Sequence, residues 1–113
     1  MPASYETMDG VGVVKLQGTL MVTEADSFRQ SFNQWFSQSG CQQVVVDMAK
    51  LEQLDSAGLG TLVAAAQQVR ERGGDLKFAA LQKRPRLVFE ITRSYKLFDI
   101  FDTMDEALKA ARK

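Results

Sequence analysis

The chain has 113 residues, 45% of them hydrophobic, and its 14 basic and 14 acidic side chains balance to a net charge of zero. This length suits one domain, expected over residues 1–113, whose core needs neither disulfides nor metal ions. The balanced charge predicts no nucleic-acid partner and no attraction to an acidic membrane surface. No apolar run reaches the roughly 18 residues of a membrane span, so we expect none.

The side-chain chemistry narrows the function further. With one cysteine, Cys41, and no histidine, the chain cannot form an internal disulfide, a common zinc site or a histidine-dependent triad. It also lacks a P-loop, a nucleophile elbow and a dinucleotide fingerprint, and residues 1–10 do not resemble a signal peptide. These features predict a cytoplasmic protein that is not an enzyme and uses no cofactor or metal. Cys41 is expected to be half-buried and without a redox role.

The first predicted elements are a hairpin and a helix. Two β-type runs, residues 4–8 and 11–17, flank Asp9-Gly10, which is a strong hairpin signal. Thr23 is the predicted N-cap of the helix that follows, with Asp26 in the position of its capping-box partner. This helix has an apolar stripe, expected to pack on the sheet, formed by Ala25, Phe28, Phe32, Trp35 and Phe36.

The middle of the chain predicts a buried strand and then the most regular helix. Gly40 ends the first helix, and three consecutive valines within residues 42–48 predict a central strand buried on both faces. After a loop, a second helix is expected over residues 58–72, followed by a strand centred on residues 76–80. The apolar face of this second helix would consist of Leu59, Leu62, Val63, Ala66 and Val69.

The last third predicts two short helices around a brief extended segment at residues 97–101. Pro85 suits the first turn of the earlier helix. Thr103 and Glu106 form a capping box that opens a final helix ending at about residue 112. The predicted apolar positions of the earlier helix are Leu87, Val88 and Ile91.

The element order β-β-α-β-α-β-α-(β)-α predicts an α/β domain. Its mixed sheet would have four to five strands, with an antiparallel hairpin first, right-handed βαβ crossovers after it, and about four helices packed against it. Functional sites in such sheets tend to lie beyond the carboxyl ends of parallel strands. The strand at residues 42–48 leads into the loop that holds Asp55 and Ser56, so this loop is the candidate site.

The segment DSAGLG, residues 55–60, has the composition of a docking loop at a helix start. Ser56 or Asp55 is well suited to cap the free amides at the helix N-terminus. Glycines there cost about 1 kcal/mol each relative to alanine, so Gly58 and Gly60 indicate that another backbone or a partner comes close. A phosphate on Ser56 would be tolerated by the amides and the helix dipole. Beside Asp55, it would present a crowded anionic surface to a docked partner.

The chain resembles the bacterial anti-sigma-factor antagonists of the STAS domain family. The resemblance lies in VVVDMAKLEQLDSAGLGTLVAAAQQVRERGGDLKFAAL, residues 44–81, and in PRLVFEITRSYKLFDIFDTMDEAL, residues 85–108. It implies that the unmodified protein binds an anti-sigma factor that is also a serine-protein kinase, and so releases a sigma factor. The kinase would phosphorylate Ser56 and stop binding, and a PP2C-type phosphatase would reverse this. The implied partner-binding residues are Met21, Thr23, Asp55, Ser56, Ala57, Gly58, Leu59 and Gly60.

One position departs from the family pattern, because Met21 stands where the family commonly has an aspartate. Met21 would act as a pliable apolar contact for a divergent partner, or pack under the loop. Nothing in the sequence demands more than a monomer or a weak dimer.

Other interpretations stay open at this point. One is a constitutive STAS scaffold or a small subunit of a signalling complex or lipid-transporting ATPase. Another is that Asp47, Asp55 and Ser56 gather at one strand end and hold a metal-bound phosphate, although no base or phosphate-binding lysine accompanies them. The basic cluster QKRPR, residues 82–86, is either solvated or in contact with an acidic partner.

Overall fold

The computed structural model describes residues 3–112. Its five strands form one mixed sheet in which their order in space is their order along the chain. The tight turn at Asp9-Gly10 makes the first two strands antiparallel, and the remaining pairs are parallel. Four helices pack against this sheet, as the sequence predicted. The elements are β1 (Ala3–Met8), β2 (Val11–Leu20), α1 (Val22–Ser39), β3 (Gln43–Leu54), α2 (Ser56–Glu71), β4 (Leu76–Ala79), α3 (Lys83–Ile91), a 3₁₀ turn (Ser94–Lys96), β5 (Ile100–Phe101) and α4 (Met104–Arg112).

The central strand β3 separates two hydrophobic clusters, because successive side chains of a strand point to opposite faces. Val44 and Val46 belong to the larger cluster, which they share with α1, α2 and α3. Val45 belongs to the smaller cluster under α4. All three valines are fully buried, which confirms the prediction of a strand buried on both faces. Among residues 3–112, no helix has the length and apolarity needed to cross a lipid bilayer.

The strands β2 and β3 are longer than their local sequence predicted. We expected β3 to end near residue 48, but it continues to Leu54 because it stays paired with β2 as far as the Leu20–Leu54 pair. Two register shifts along this pairing insert extra residues into β3. Leu51 and Leu54 are both buried in the larger cluster although they are three residues apart, because the second register shift lies between them and interrupts the two-residue alternation.

The helix α1 begins earlier than predicted, and Thr23 is not its N-cap. Met21 occupies the cap position in an extended conformation. The third helical residue, Glu24, takes the role that we had given to Asp26, since its carboxylate accepts the Met21 amide at 3.0 Å. The C-terminal end agrees with expectation, because Gly40 adopts the left-handed conformation that closes a helix. The predicted stripe is also in place, with Ala25, Phe28, Phe32 and Phe36 buried and Trp35 stacked on Tyr5.

The helix α3 turns a different side to the core than its apolar residues suggested. Phe89 is buried, and its ring meets that of Phe78 edge to face at 5.1 Å between centroids. This contact and buried Pro85 fix the orientation of the helix. As a result, two of the three predicted apolar positions, Leu87 and Ile91, are 53% and 73% exposed, while the third, Val88, is half-buried against the larger cluster.

Candidate functional site

Two helices begin side by side at one edge of the sheet. β2 ends at Leu20 and β3 ends at Leu54, and these two residues are paired in the sheet. Helix α1 starts two residues after Leu20, and helix α2 starts two residues after Leu54. The free amides and the positive dipole ends of both helices therefore lie at neighbouring positions. The candidate loop is at the carboxyl end of a parallel strand, as expected, although that strand is longer than predicted.

Asp55 joins the two helix N-termini through its carboxylate. Its Oδ1 accepts the Gly58 amide at 2.8 Å, which makes Asp55 the N-cap of α2. Its Oδ2 accepts the Val22 amide, the first of α1, at 2.9 Å. One side chain thus satisfies amides of two helices. Of the two capping candidates in the sequence, Asp55 is the cap, and Ser56 is free of that role as the first residue of α2.

Glu24 orders the start of α1 from the other side. Its carboxylate accepts hydrogen bonds from the Thr23 hydroxyl, the Met21 amide and the Thr19 hydroxyl. These bonds favour the ionised carboxylate and lower its pKa from the ordinary value, with the Thr23 hydroxyl contributing most. Glu24 and Asp55 together make the entry into α1 a fixed and negatively charged corner.

The two glycines of the candidate loop have different surroundings. A Cβ atom on Gly58 would lie 1.9 Å from the carbonyl oxygen of Leu20, so no side chain fits there. The close backbone inferred at this position is therefore the end of β2 in the same chain. A Cβ atom on Gly60 would meet nothing within 4 Å. Gly60 lies one turn after Ser56 on the same helix face, and it leaves that face bare on the solvent side.

The structure divides the predicted partner-binding residues into an exposed set and a supporting set. Those open to solvent are Thr23, Ser56 and Gly60, with Met21, Asp55 and Ala57 half-buried. Gly58 and Leu59 are buried, so they support this surface from inside. Met21 keeps its side chain partly in solvent, which leaves it able to contact a partner.

Val22 is a residue that the sequence analysis missed. It is 69% exposed at the first position of α1, beside Asp55. Its spacing of three residues from Ala25 matches the apolar stripe, so the local sequence carries no signal that its side chain is exposed. It is exposed because α1 begins beyond the end of the sheet, where no strand lies beneath it. We call the exposed part of this region the α1/α2 surface, formed by Met21, Val22, Thr23, Ser56, Ala57 and Gly60.

The structure does not bring Asp47 to this surface, and the idea that Asp47, Asp55 and Ser56 gather at one strand end is wrong. Asp47 lies within β3, eight residues before Asp55. A strand rises about 3.3 Å per residue, which separates the two carboxylates by roughly 20 Å or more. Asp47 instead accepts the Ala49 amide at 3.0 Å. Within the described part of the chain, no three His, Cys, Asp or Glu side chains are grouped so that they could hold a metal ion.

Comparison with known proteins agrees with this architecture. A protein from Bordetella bronchiseptica, provisionally named anti-sigma factor antagonist BtrV, is 27% identical over 110 residues, covering 97% of this chain and 94% of the relative. The crystal structure of an anti-sigma factor antagonist from Mycobacterium paratuberculosis superposes with a TM-score of 0.88 at 27% identity, covering 98% of this chain and 93% of the other. The phosphorylated form of the Bacillus cell fate determinant SpoIIAA has the same fold, with a TM-score of 0.73 at 17% identity over 96% of this chain and 97% of that one.

The family model for the STAS domain matches residues 3–107. This match covers the whole sheet and the first four residues of α4. The chain belongs to the STAS domain family.

Proposed function

We propose that this protein is an anti-sigma-factor antagonist that binds its anti-sigma factor through the α1/α2 surface when Ser56 is unmodified. The observation that supports this best is the position of Ser56. It is exposed as the first residue of a helix, next to the Asp55 cap that also holds the neighbouring helix. The relatives that carry the name of anti-sigma factor antagonist span nearly the whole chain, which supports the same activity.

In the unmodified state, the surface offers a small apolar and hydroxylic patch on a rigid frame. Val22 and Ala57 supply apolar contacts, and the bare backbone at Gly60 allows a partner to approach closely. The frame is rigid because both helix starts are tied to Asp55. A partner therefore meets a surface that needs little ordering on binding, which favours affinity.

Phosphorylation of Ser56 would change the charge of this surface without unfolding it. An anti-sigma factor that is a serine kinase transfers the phosphoryl group of ATP to the Ser56 hydroxyl, which loses its proton, and ADP leaves. The phosphate brings about two negative charges, which the amides and dipole at the start of α2 accommodate. It adds to the carboxylates of Asp55 and Glu24, so a partner matched to the unmodified surface is repelled. A PP2C-type phosphatase restores the hydroxyl by hydrolysis.

The experiment that tests this proposal is the intact mass of the protein from its own cells, growing and stressed. We expect a species heavier by one phosphoryl group that varies with condition and is absent in Ser56→Ala. Ser27→Ala, which removes an exposed serine on α1, is the matched control and should keep the heavier species.

Binding provides the second readout. The purified anti-sigma factor should bind wild type and Ser56→Ala similarly, and bind Ser56→Asp about 100-fold more weakly, since burying an unpaired charge in an interface costs several kcal/mol. An unmodified mass in every condition, together with equal binding of Ser56→Asp, would contradict the switch. That result would favour a constitutive STAS scaffold or subunit.

A further inference from the structure

The exposed apolar side chains of this protein are concentrated on one segment far from Ser56 in sequence. Six large hydrophobic residues are exposed among residues 3–112, and four of them lie between positions 87 and 97. They are Leu87, Ile91, Tyr95 and Leu97. Leu87 and Ile91 are one turn apart on α3, so they form one row on its outer side. Single exposed apolar residues are ordinary, whereas four within eleven residues of the chain point to an interaction surface.

The same segment holds a strong excess of positive charge. Residues 83–97 contain five basic side chains, Lys83, Arg84, Arg86, Arg93 and Lys96, against one acidic side chain, Glu90. The whole chain is neutral, so this segment and the rest of the protein carry opposite charge. Among the described residues, Arg86 alone of the five forms an ion pair, with Asp102 at 4.0 Å. The positive charge is therefore available to a partner.

Two of these cations act against the stability of their own helix. Lys83 and Arg84 are the first two residues of α3, and its first turn contains no acidic residue. Cations at a helix N-terminus oppose the helix dipole, and acidic residues are preferred there. A charge placed against the dipole indicates a role outside the helix. Lys83 lies one turn before Leu87, so the cations extend the exposed apolar row.

A groove beside this row offers a place for a partner's side chain. It has a volume of about 470 Å³ and is lined by residues of α3, the 3₁₀ turn and β5. Phe98 and Phe101 contribute apolar walls, and the charged residues Arg86, Glu90 and Asp99 line the same groove. An apolar side chain of a partner would fit between these walls, with its acidic neighbours directed to the cations on the outer side of α3.

We propose that the outer side of α3 and the 3₁₀ turn, formed by Lys83, Arg84, Leu87, Ile91, Tyr95 and Leu97, docks a partner protein whose surface presents acidic side chains beside apolar ones. We call it the α3 surface. It shares no residue with the α1/α2 surface, so the two can be tested separately. Charge complementarity of this kind directs the choice of partner and speeds association.

The structure favours a protein over the other possible occupants. Glu90 is exposed among the basic residues of α3. A protein partner can place a cation opposite this carboxylate and acidic groups opposite its basic neighbours, whereas an anionic lipid surface offers negative charge to all of them. A second copy of this chain is also disfavoured. Symmetric pairing through the α3 surface would bring together two patches that carry the same net positive charge, and like charges across an interface are unfavourable.

The first step of the test identifies what lies against the α3 surface in cells. A photo-crosslinking benzoylphenylalanine is placed at position 91 of the full chain, and at position 109 as a control. Lys109 is exposed on α4, in the layer on the other side of the sheet. We expect a protein to crosslink to position 91 and not to position 109. The crosslinked segment of that protein should be rich in acidic and apolar residues. No specific crosslink at position 91 would overturn the proposal.

The second step measures the affinity of the purified crosslinked protein for matched variants. The double reversal Lys83→Glu with Arg84→Glu should weaken binding about tenfold or more, and Leu87→Ser with Ile91→Ser should do the same. The control reversal Lys50→Glu with Lys109→Glu, at two other exposed positions, should change affinity by less than about twofold. Wild-type binding should weaken as salt is added. The Lys83→Glu/Arg84→Glu variant should melt no lower than wild type, since acidic residues suit that helix start.

Three results would overturn the proposal. The first is an affinity unchanged by reversal of Lys83 and Arg84. The second is binding of the wild type, but not of this variant, to phosphatidylglycerol vesicles, which would make the surface a lipid site. The third is a dimer in sedimentation velocity that the same reversal dissociates, which would make the occupant a second copy.

Discussion

Replacing Asp55 tests the structural basis of the α1/α2 surface, because one carboxylate holds two helix starts. Asp55→Ala removes the bond to the Gly58 amide and the bond to the Val22 amide. Loss of an N-cap costs about 1 kcal/mol, and loss of a second, partly solvated hydrogen bond costs about 1 kcal/mol more. We expect a loss of about 2 kcal/mol in the free energy of unfolding. For a domain of this size, this corresponds to a Tm lowered by roughly 8 °C.

Two further variants separate the bonds and provide a control. Asp55→Asn keeps a good cap for α2 but places its side-chain NH₂ group opposite the Val22 amide. It should therefore lower the free energy of unfolding by about half as much as Asp55→Ala. Asp26→Ala removes an exposed carboxylate that pairs with Arg29 one turn away, and it should cost less than about 0.5 kcal/mol.

The assay is thermal and urea unfolding, combined with hydrogen exchange at the two amides that Asp55 binds. Asp55→Asn should lose protection at Val22 and keep it at Gly58, whereas Asp55→Ala should lose both. The reasoning is refuted if Asp55→Ala lowers the Tm no more than Asp26→Ala, or if exchange at Val22 stays as slow as in the wild type.

Three other outcomes follow from the geometry of this region and of the core. Gly58→Ala should lower the free energy of unfolding by about 2 kcal/mol or more, because its Cβ meets the Leu20 carbonyl oxygen. Gly60→Ala should instead raise it by about 0.5–1 kcal/mol. If both variants shift urea unfolding in the same direction, this difference between the two glycines is contradicted. Glu24 has a lowered pKa in the folded protein, so its carboxylate contributes stability at pH values above its ordinary pKa of 4.5. This contribution to stability is lost as the pH falls through the lowered pKa of the folded state. The Tm gap between wild type and Glu24→Gln should therefore narrow on acidification, and a constant gap would be evidence against it. Phe89→Ala should cost about 3–5 kcal/mol in chemical unfolding, and a loss below about 1 kcal/mol would show that its ring is not packed as described.

Local sequence patterns predicted much of the fold correctly. The three valines of β3 were predicted to be buried on both faces, and Gly40 to end α1. Thr103 does cap α4, since its hydroxyl accepts the Glu106 amide at 3.2 Å. These features depend on backbone preferences and on the period of apolar residues, which act over a few positions. The location of the candidate site after β3 was predicted for the same reason, since a Gly-rich helix start after a buried strand is a local signal.

The features that the sequence did not predict depend on contacts between distant segments. Helix α1 begins at Val22 and not after Thr23 because Asp55, 33 residues away, accepts the Val22 amide. Gly58 of α2 is required by the carbonyl group of Leu20, the last residue of β2, whereas its role had been assigned partly to an external partner. In both cases the decisive atom belongs to a segment that becomes a neighbour only after the sheet has formed.

The amino-acid sequence by itself determined the order of strands and helices, the burial of the central strand and the position of Ser56 at a helix start. Tertiary structure decided which side of α3 faces solvent. Periodicity named Leu87 and Ile91 as apolar positions of this helix, but the contact of Phe89 with Phe78 directs them to solvent. The reason is that periodicity shows which residues share a helix face, while packing against neighbouring elements decides which of two apolar faces is buried.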